Sequence, residues 1–226
     1  MDKKDEAILD HLGRYTISIK RVIDEYCLGG TSCQTSIARL LKAGLIQAVD
    51  KGLEGNFRYF QLTNKGAKSR GIPVNRAREK DAVGLAQDLA ALWFSCMGPV
   101  PRKRLKNEEL EKLFGAPKGS NIIFAAQADG EYDTTVFRLF VPGEDTSLKA
   151  FVSNFRKAAY DASSDDRLLP WIERGTYQFA VLVQNENRRE ELTRLIRKEQ
   201  FPDLRIHLDV APSPTNLKEF MTPETA

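Results

Sequence analysis

Apolar residues recur at helical spacing in two successive segments near the start of the chain, on either side of a glycine pair. The apolar positions are Ile19, Val22, Ile23 and Tyr26 in the first segment and Cys33, Ile37, Leu40 and Leu41 in the second. Gly29 and Gly30 end the first helix, and Thr31 or Ser32 is expected to cap the second. The pattern therefore predicts a helix-turn-helix whose second helix keeps one polar face.

Two short strands complete this part of the pattern. Residues 46–49 and 57–62 have strand-like composition and are joined by the glycine-containing turn 50–56, and a short helix is expected around residues 7–12. A hairpin that directly follows a helix-turn-helix indicates a winged helix-turn-helix. The alternative is that such a module serves only for dimerisation or docking.

The pattern changes in the second half of the chain. An apolar stripe over residues 77–97 predicts a helix of about five turns. A ββαβαβ order follows, with strands at 120–128, 135–142, 176–184 and 204–210 and helices at 147–162 and 187–201. We therefore predict an α+β chain, in which the N-terminal winged helix-turn-helix is followed by a small α/β domain with a mixed sheet.

Composition and charge divide the chain into four expected parts. These are a DNA-binding domain (1–72), basic connectors with a linking helix (73–106), the α/β domain (107–212) and a proline-spaced, partly disordered tail (213–226). Residues 14–80 contain 13 Lys/Arg and 5 Asp/Glu, a net charge of +8, whereas residues 81–226 contain 19 and 22, a net charge of −3. The first third is therefore suited to a polyanion.

The residues expected to contact double-stranded DNA lie on the polar helix face, around the turn between the strands and in the basic connector. They are Ser32, Gln34, Thr35, Ser36, Arg39 and Lys42 on the helix, Lys51, Asn56 and Arg58 around the turn, and Lys68 and Arg70 in the connector. Thr35 and Arg39 are expected to contact bases, and Lys51, Arg58 and Lys68 to contact phosphates. The polar face contains no acid, which favours DNA binding over docking.

Other chemistry is sparse. Cys27, Cys33 and Cys96 have no metal-ligand spacing, and with only two histidines we predict neither a metal site nor a cofactor. The cysteines are expected to be reduced residues of a cytoplasmic protein, and His11 to be a packing or surface residue. No stretch approaches the roughly 20 apolar residues of a membrane span, and the first residues do not resemble a signal peptide.

A metal-dependent relaxase or nuclease is the main enzymatic alternative. The acids available to it are Asp129, Glu131, Asp133 and Glu144. Such chemistry needs an acid on one strand and an acid with a lysine on the next, but residues 136–140 contain no acid, and the first three acids suit a polar turn. Arg138, if it points inward, is expected to pair with Glu144 or Asp145. We therefore predict that the protein is not an enzyme.

Three segments together resemble the replication-relaxation family of plasmid and integrative-element proteins. They are SCQTSIARLLKAGLIQ from residue 32, FRYFQLTNKG from residue 57 and VGLAQDLAALW from residue 83. The resemblance implies a winged helix, a linking helix and a degenerate restriction-endonuclease-like domain, similar to plasmid mobilisation proteins. It also implies a transcriptional regulator or an accessory factor in the replication, mobilisation or conjugation of a mobile element.

These observations predict a sequence-specific, double-stranded DNA-binding protein that acts as a homodimer. The stripe formed by Leu85, Leu89, Leu92 and Trp93 and the second domain are the candidate dimer surfaces. A relaxase or another DNA-processing protein is a further expected partner, and no membrane contact is expected. A relaxase or nuclease activity and a protein-interaction adaptor are the remaining alternatives.

Overall fold

The computed structural model describes residues 2–115, 122–128 and 134–221. It has mixed α+β structure, with a small antiparallel sheet and a mixed five-stranded sheet. The chain divides into two compact units, the first formed by Met1–Pro99 with Pro212–Ala226 and the second by Val100–Ala211. The first unit is thus built from two stretches far apart in sequence, whereas the second is one continuous stretch.

The first unit surrounds a three-stranded antiparallel sheet with strand order β1-β3-β2. Its elements are α1 (Lys3–Tyr15), β1 (Ile17–Ile19), α2 (Lys20–Val22) continuing as a π-helix (Ile23–Cys27), α3 (Gln34–Lys42), β2 (Ile46–Val49), β3 (Tyr59–Leu62), α4 (Asn64–Ser69), a 3-10 helix (Val74–Ala77), α5 (Ala82–Cys96) and a terminal helix (Leu217–Met221). Ile17 and Gln47 both lie opposite Gln61, so β3 is the central strand.

The two helices and the hairpin predicted from apolar spacing are confirmed, but the unit contains additional elements. β1 was not predicted because its three residues, all buried, merge with the apolar pattern of the next helix. α4 forms where the hairpin was expected to end, because Thr63 Oγ1 accepts a hydrogen bond from the Gly66 N–H and caps a helix. α1 is longer than expected, and Asp2 caps it by accepting a hydrogen bond from the Lys4 N–H.

The turn between α2 and α3 is fixed by a carboxylate. Asp24 Oδ1 accepts a hydrogen bond from the Cys33 N–H at 2.7 Å, just before α3 begins. Gly29 and Gly30 both have positive φ angles, 58° and 85°, which glycine adopts without strain. Of the two caps expected, Ser32 accepts a long hydrogen bond of 3.4 Å from the N–H of Gln34, the first residue of α3, although the cap position itself is taken by Cys33. Asp24 is a second, unexpected acceptor at the start of α3.

Two apolar clusters fill the first unit. One contains Ile8, Leu12, Ile37, Leu40 and Leu62, and the other contains Tyr15, Ile17, Tyr59, Leu85, Leu89, Leu92 and Leu217. The leucines of α5 therefore pack inside this unit, so the dimer surface expected from Leu85, Leu89 and Leu92 is wrong. Within the tail expected to be partly disordered, residues 213–221 are described and contribute the fully buried Leu217 to the same core. Residues 222–226 lie outside the described residues.

The second unit contains a mixed sheet, as the ββαβαβ pattern predicts, and its strand order is β4-β5-β6-β7-β8. Its elements are β4 (Lys103–Arg104), α6 (Asn107–Phe114), β5 (Ile123–Ala128), β6 (Thr134–Phe140), α7 (Leu148–Ser163), α8 (Leu169–Glu173), β7 (Tyr177–Val183), α9 (Glu186–Lys198) and β8 (Arg205–Val210). β4, β5 and β6 are antiparallel neighbours, whereas β6, β7 and β8 are parallel and joined through helices. β4 and α8 were not predicted because both are short.

The core of the second unit is rich in aromatic side chains. Phe155 of α7 is buried against Phe140 of β6 and Phe179 of β7, with ring centroids 4.9 and 5.4 Å apart. Such pairs add to the stability gained from apolar burial alone. No helix in the described part of the chain is long and apolar enough to cross a membrane.

Candidate nucleic-acid interface

The outer face of α3 presents polar side chains that the protein itself does not use. Gln34, Thr35 and Lys42 are exposed, and their side chains have no hydrogen bond or ion pair with another described residue. Ser32 is also exposed, and its hydroxyl lies 3.4 Å from the Gln34 backbone nitrogen. Gln34, Thr35 and Lys42 lie on the helix face where the pattern placed them, whereas Ser32 lies two residues before α3 begins. All four can form hydrogen bonds with a ligand.

Two residues of α3 lie on the opposite side from the one expected. Leu41 was expected in the core, but its side chain is 37% exposed at the outer face. Ser36 was expected to contact DNA, but it is 2% exposed and its hydroxyl lies 3.3 Å from Arg39 Nη2. The buried face of α3 is centred further round the helix than the apolar residues alone indicated, because α1 packs over Ser36. Ser36 is therefore not available to DNA in this structure.

The guanidinium of Arg39 is held by two carboxylates at the start of α1. Its Nε and Nη2 atoms donate to the two oxygens of Asp5 at 3.2 and 2.8 Å, and Nη2 lies 2.9 Å from Asp2 Oδ2. The Asp5 side chain is 8% exposed, so this pair is better shielded than an ordinary surface ion pair. The Arg39 hydrogen bond lowers the pKa of Asp5, and the Lys4 N–H and Arg39 lower the pKa of Asp2.

This arrangement changes the electrostatics of the α3 surface. The expectation that the polar face meets no acid is wrong, because α1 places Asp2 and Asp5 beside Arg39. Sequence reasoning missed both acids. Acidic residues in the first turn of a helix are commonly explained by the helix dipole alone, and the sequence does not show which helix packs against them. Arg39 therefore fastens α3 to α1.

The loop between β2 and β3 is tied back to its own unit. Leu53 is buried in the core, and the Glu54 N–H donates to the Pro214 carbonyl at 2.8 Å. Of the residues expected to contact DNA, Lys51 and Asn56 are exposed, while Arg58 is exposed but lies 3.1 Å from Asp50 Oδ1. The loop therefore presents its cations from a fixed position.

Residues at the start of the basic connector make contacts within the first unit. Lys68 is exposed on α4, but Arg70 pairs with Asp10 of α1, and Lys65 Nζ donates to the Ala43 carbonyl at 2.8 Å, just beyond the last turn of α3. Together with Arg39 and Arg58, Arg70 belongs to a set of arginines held by acids. Lys42, Lys51 and Lys68 form a second set, because none of these lysines has an ion pair with any residue the structure describes.

His11 is a packing residue, one of the two roles expected for it. Its ring is buried between α1 and the sheet, with Nε2 2.9 Å from Ser18 Oγ and the Tyr15 ring 4.7 Å away. Burial lowers the pKa of His11 to about 4, so the ring is neutral at pH 7. The three cysteines are free thiols, and burial raises the pKa of each.

Of the four acids considered for a metal site, the structure describes only Glu144. Asp129, Glu131 and Asp133 lie outside the described residues. Among the residues that are described, no group of three His, Cys, Asp or Glu side chains could hold a metal ion. Arg138 does not pair with Glu144 or Asp145 as expected. Its guanidinium carbon lies over the rings of Phe140 and Phe179 instead, at 5.0 and 5.5 Å from the ring centroids.

No protein-family model matches the chain, and no curated protein or solved structure matches it significantly. The resemblance to the replication-relaxation family therefore stays a prediction, and function must be argued from the side chains themselves.

Proposed function

We propose that the first unit is a winged helix-turn-helix that binds double-stranded DNA sequence-specifically, with α3 in the major groove. The order of its elements supports this proposal, because helix, strand, two helices and a hairpin, with β3 between β1 and β2, is the arrangement of such domains. In helix-turn-helix proteins the second helix of the motif enters the groove and its first residues contact base edges.

The proposal rests on the outer face of α3, where the side chains of Gln34, Thr35 and Lys42 make no hydrogen bond or ion pair with another described residue. Gln34 and Thr35 lie in its first turn, where amide and hydroxyl groups can hydrogen-bond base edges, and Lys42 at its end can reach a phosphate. Leu41 on the same face suits contact with a thymine methyl group. A polar side chain that its own protein leaves unpaired can form such bonds without first breaking others.

The role of Arg39 differs from the one its sequence position indicates. To contact a base, its guanidinium would have to leave the shielded carboxylate of Asp5, and breaking a charge-assisted pair of this kind is costly. We therefore assign base contact to Gln34 and Thr35, and assign to Arg39 the role of fixing α3 against α1. Lys51, Lys68 and Arg58 are placed at the phosphate backbone, where exposed cations contribute sequence-independent affinity.

The cellular role proposed is that of a transcriptional regulator or an accessory factor of a plasmid or integrative element, as the resemblance implies. We propose that it binds DNA as a homodimer, because one such module makes few base contacts and a second copy doubles them. The α5 stripe is excluded as the dimer surface by its burial. Light scattering of the protein, free and bound to DNA, tests this point, and a monomer in both states would reject it.

Selection of bound sequences from a random duplex pool tests the proposed DNA binding directly. We expect an enriched sequence for the wild type, and relaxed selectivity at one or two base pairs for Gln34→Ala and Thr35→Ala, each with a loss of about 1–3 kcal/mol. Lys157→Ala, which changes an exposed lysine of α7, is the matched control and should select the same sequence. If the wild type enriches no sequence, the proposal is wrong.

A protein-interaction adaptor is the second candidate, and the partial exposure of Leu41 beside the polar face of α3 favours it. The two functions respond differently to salt, because binding to DNA releases counterions and weakens steeply as salt is raised.

We also propose that the protein does not cut DNA. Conversion of supercoiled to open-circular plasmid by the wild type with Mg²⁺, abolished by replacing Asp129 and Asp133 with asparagine, would overturn that proposal.

A further inference from the structure

The second unit contains a cavity of about 830 Å³ that the proposed DNA binding does not use. Its wall is formed by α6, β5, β6, β7, the end of α7 and the segment between α7 and α8. Its polar and aromatic residues include Phe114, Phe124, Arg138, Asp161, Asp166 and Tyr177. Small-molecule sites commonly have volumes of about 300–1,000 Å³, mostly apolar walls and a few polar groups. This cavity has that size and that composition.

Arg138 is the unusual residue of the wall. It lies in the middle of β6, with its guanidinium stacked over Phe140 and Phe179. Its Nε atom is buried and has no hydrogen-bond partner in the part of the chain that the structure describes. A buried polar atom without a partner is costly, and the contacts of the guanidinium with the two rings offset part of that cost. Arg138 also lines the cavity, so the remainder of its guanidinium offers a cation to a ligand there.

The surroundings of Arg138 favour an anionic group attached to an apolar body. Burial raises the pKa of Tyr177 to about 12, so its phenol is protonated and can donate a hydrogen bond beside the guanidinium. The Tyr177 ring also lies 5.8 Å from the ring of Phe114 and 6.4 Å from that of Phe124. These three rings form an aromatic wall next to two donors.

Acids line the same cavity and limit the charge of the ligand. Asp165 is occupied by Arg167, with Oδ2 2.7 Å from Nη2. Asp161 and Asp166 are exposed lining residues and have no ion pair with another described residue. Two exposed carboxylates disfavour a ligand with several negative charges and favour one that also carries a cation.

We propose that this cavity binds a small aromatic zwitterion, with its carboxylate on Arg138 and Tyr177, its ring against Phe114 and Phe124, and its ammonium group toward Asp161 and Asp166. An α-amino acid with an aromatic side chain has this chemistry. The proposal does not depend on DNA binding, since all the residues concerned belong to the second unit.

Calorimetric titration of the full chain with three matched probes tests the proposal. L-phenylalanine has both charges, 3-phenylpropionate lacks the ammonium group, and 2-phenylethylamine lacks the carboxylate. We expect L-phenylalanine to bind, and each of the other two to bind about tenfold more weakly or worse. Equal binding of 3-phenylpropionate would overturn the role given to the acids, equal binding of 2-phenylethylamine would overturn the role of Arg138, and no binding of any probe would overturn the proposal.

Arg138→Met separates ligand binding from stability. We expect this variant to bind L-phenylalanine at least about tenfold more weakly, and to unfold near the wild-type temperature in the absence of ligand, because relief of the unpaired Nε opposes the loss of the ring contacts. L-phenylalanine should raise the melting temperature of the wild type only. Unchanged binding by the variant would overturn the proposal.

Two further variants complete the test. Arg156→Met removes an arginine of α7 that pairs with Glu199 outside the cavity, and it should bind L-phenylalanine like the wild type. A loss as large as that of Arg138→Met would mean that the effect is not specific to the cavity and would overturn the proposal. If Arg138→Met does not fold, Tyr177→Phe replaces it, because it removes only the hydroxyl group and keeps the ring. We expect it to weaken binding about threefold or more, and unchanged affinity would count against the proposed carboxylate site.

Discussion

The two units place their arginines in opposite situations. In the first unit Arg39 is exposed at the surface, yet its guanidinium is hydrogen-bonded to Asp5, Asp2 and Ser36. In the second unit Arg138 points into a core of aromatic rings, and its Nε lacks a partner among the residues described. Exposure therefore does not measure how available a cation is. Availability depends on which bonds must be broken before a ligand can bind.

The two units also differ in where the side chains that we propose to bind a ligand lie, at the surface of the first unit and in the interior of the second. In the first unit the proposed function uses exposed lysines and short polar side chains, although Gln61 Oε1 and Ser95 Oγ in its interior also lack a partner among the described residues. In the second unit the proposed function uses Arg138, whose Nε is one of several buried atoms without a described partner and whose side chain lines a cavity. We infer that the first unit acts on a large ligand that covers its surface and the second on a small one that it encloses. Four predictions sharpen this comparison or would break it.

The largest effect is expected from the core of the first unit. Leu89 of α5 is fully buried, so Leu89→Ala should lower the free energy of unfolding by about 2–5 kcal/mol. Val83→Ala on the same helix is the control and should change it by less than about 0.5 kcal/mol, because Val83 is 63% exposed. Urea unfolding measures both. Equal small effects, with a loss of self-association for Leu89→Ala, would show that α5 forms a dimer surface after all.

The next effect concerns the interior of the first unit at low pH. Burial lowers the pKa of His11 from 6.5 to about 4. Its stabilising contribution is therefore complete above pH 6.5 and is lost as the pH falls toward 4, by up to about 3 kcal/mol. His11→Gln should remove this part of the pH dependence in urea unfolding at pH 4 to 7. His207→Gln is the control, since it removes the chain's other histidine, and identical profiles for wild type and His11→Gln would contradict the burial argument.

A smaller effect is expected at the clamp on Arg39. Asp5→Asn removes the charge that two guanidinium nitrogens contact, and we expect a loss of about 1–3 kcal/mol in unfolding free energy at pH 7. Because the pKa of Asp5 is lowered in the folded protein, its contribution is present above the unfolded pKa and is lost as the pH falls through the folded value. The difference between wild type and variant should therefore shrink below about pH 4. A difference that stays constant down to pH 2 would contradict the clamp.

The smallest effect distinguishes the lysines without partners from the paired arginines. Lys42→Ala and Lys68→Ala should weaken binding to specific and random duplexes alike, and should lower the slope of log affinity against log salt by about one. Lys157→Ala should leave the slope unchanged. Arg70→Ala should change it less than Lys68→Ala does, because Asp10 already compensates Arg70. If the arginine has the larger effect, pairing in the free protein does not predict availability to DNA.

The spacing of apolar residues predicted the helices and strands of this chain better than it predicted the contacts between them. The hairpin of β2 and β3 and the ββαβαβ order of the second unit could be predicted because each is a local pattern of apolar residues. β1 and β4 could not, because two or three residues are too few to show an alternation. The bond from the Cys33 N–H to Asp24 could not be predicted, because Asp24 lies nine residues before Cys33 and reaches it only through the turn.

The candidate interface was predictable at positions whose role depends on the helix alone. Gln34, Thr35 and Lys42 are exposed as expected. Ser36 and Arg39 were misjudged because α1 packs beside them, and that contact joins residues 34 positions apart in sequence. The cavity of the second unit gave no local pattern at all. Arg138 is the one charged residue of β6, and only its neighbours in the sheet show what it can do.

The terminal helix has a consequence for synthesis on the ribosome. Leu217 completes the core of the first unit, but it is translated only after the whole of Val100–Ala211. At typical rates of elongation this delay is on the order of ten seconds. Throughout that time the nascent first unit lacks Leu217 and the carbonyl of Pro214 that holds the β2–β3 loop. We therefore expect the second unit, the later of the two to begin synthesis, to be the first to reach its final structure.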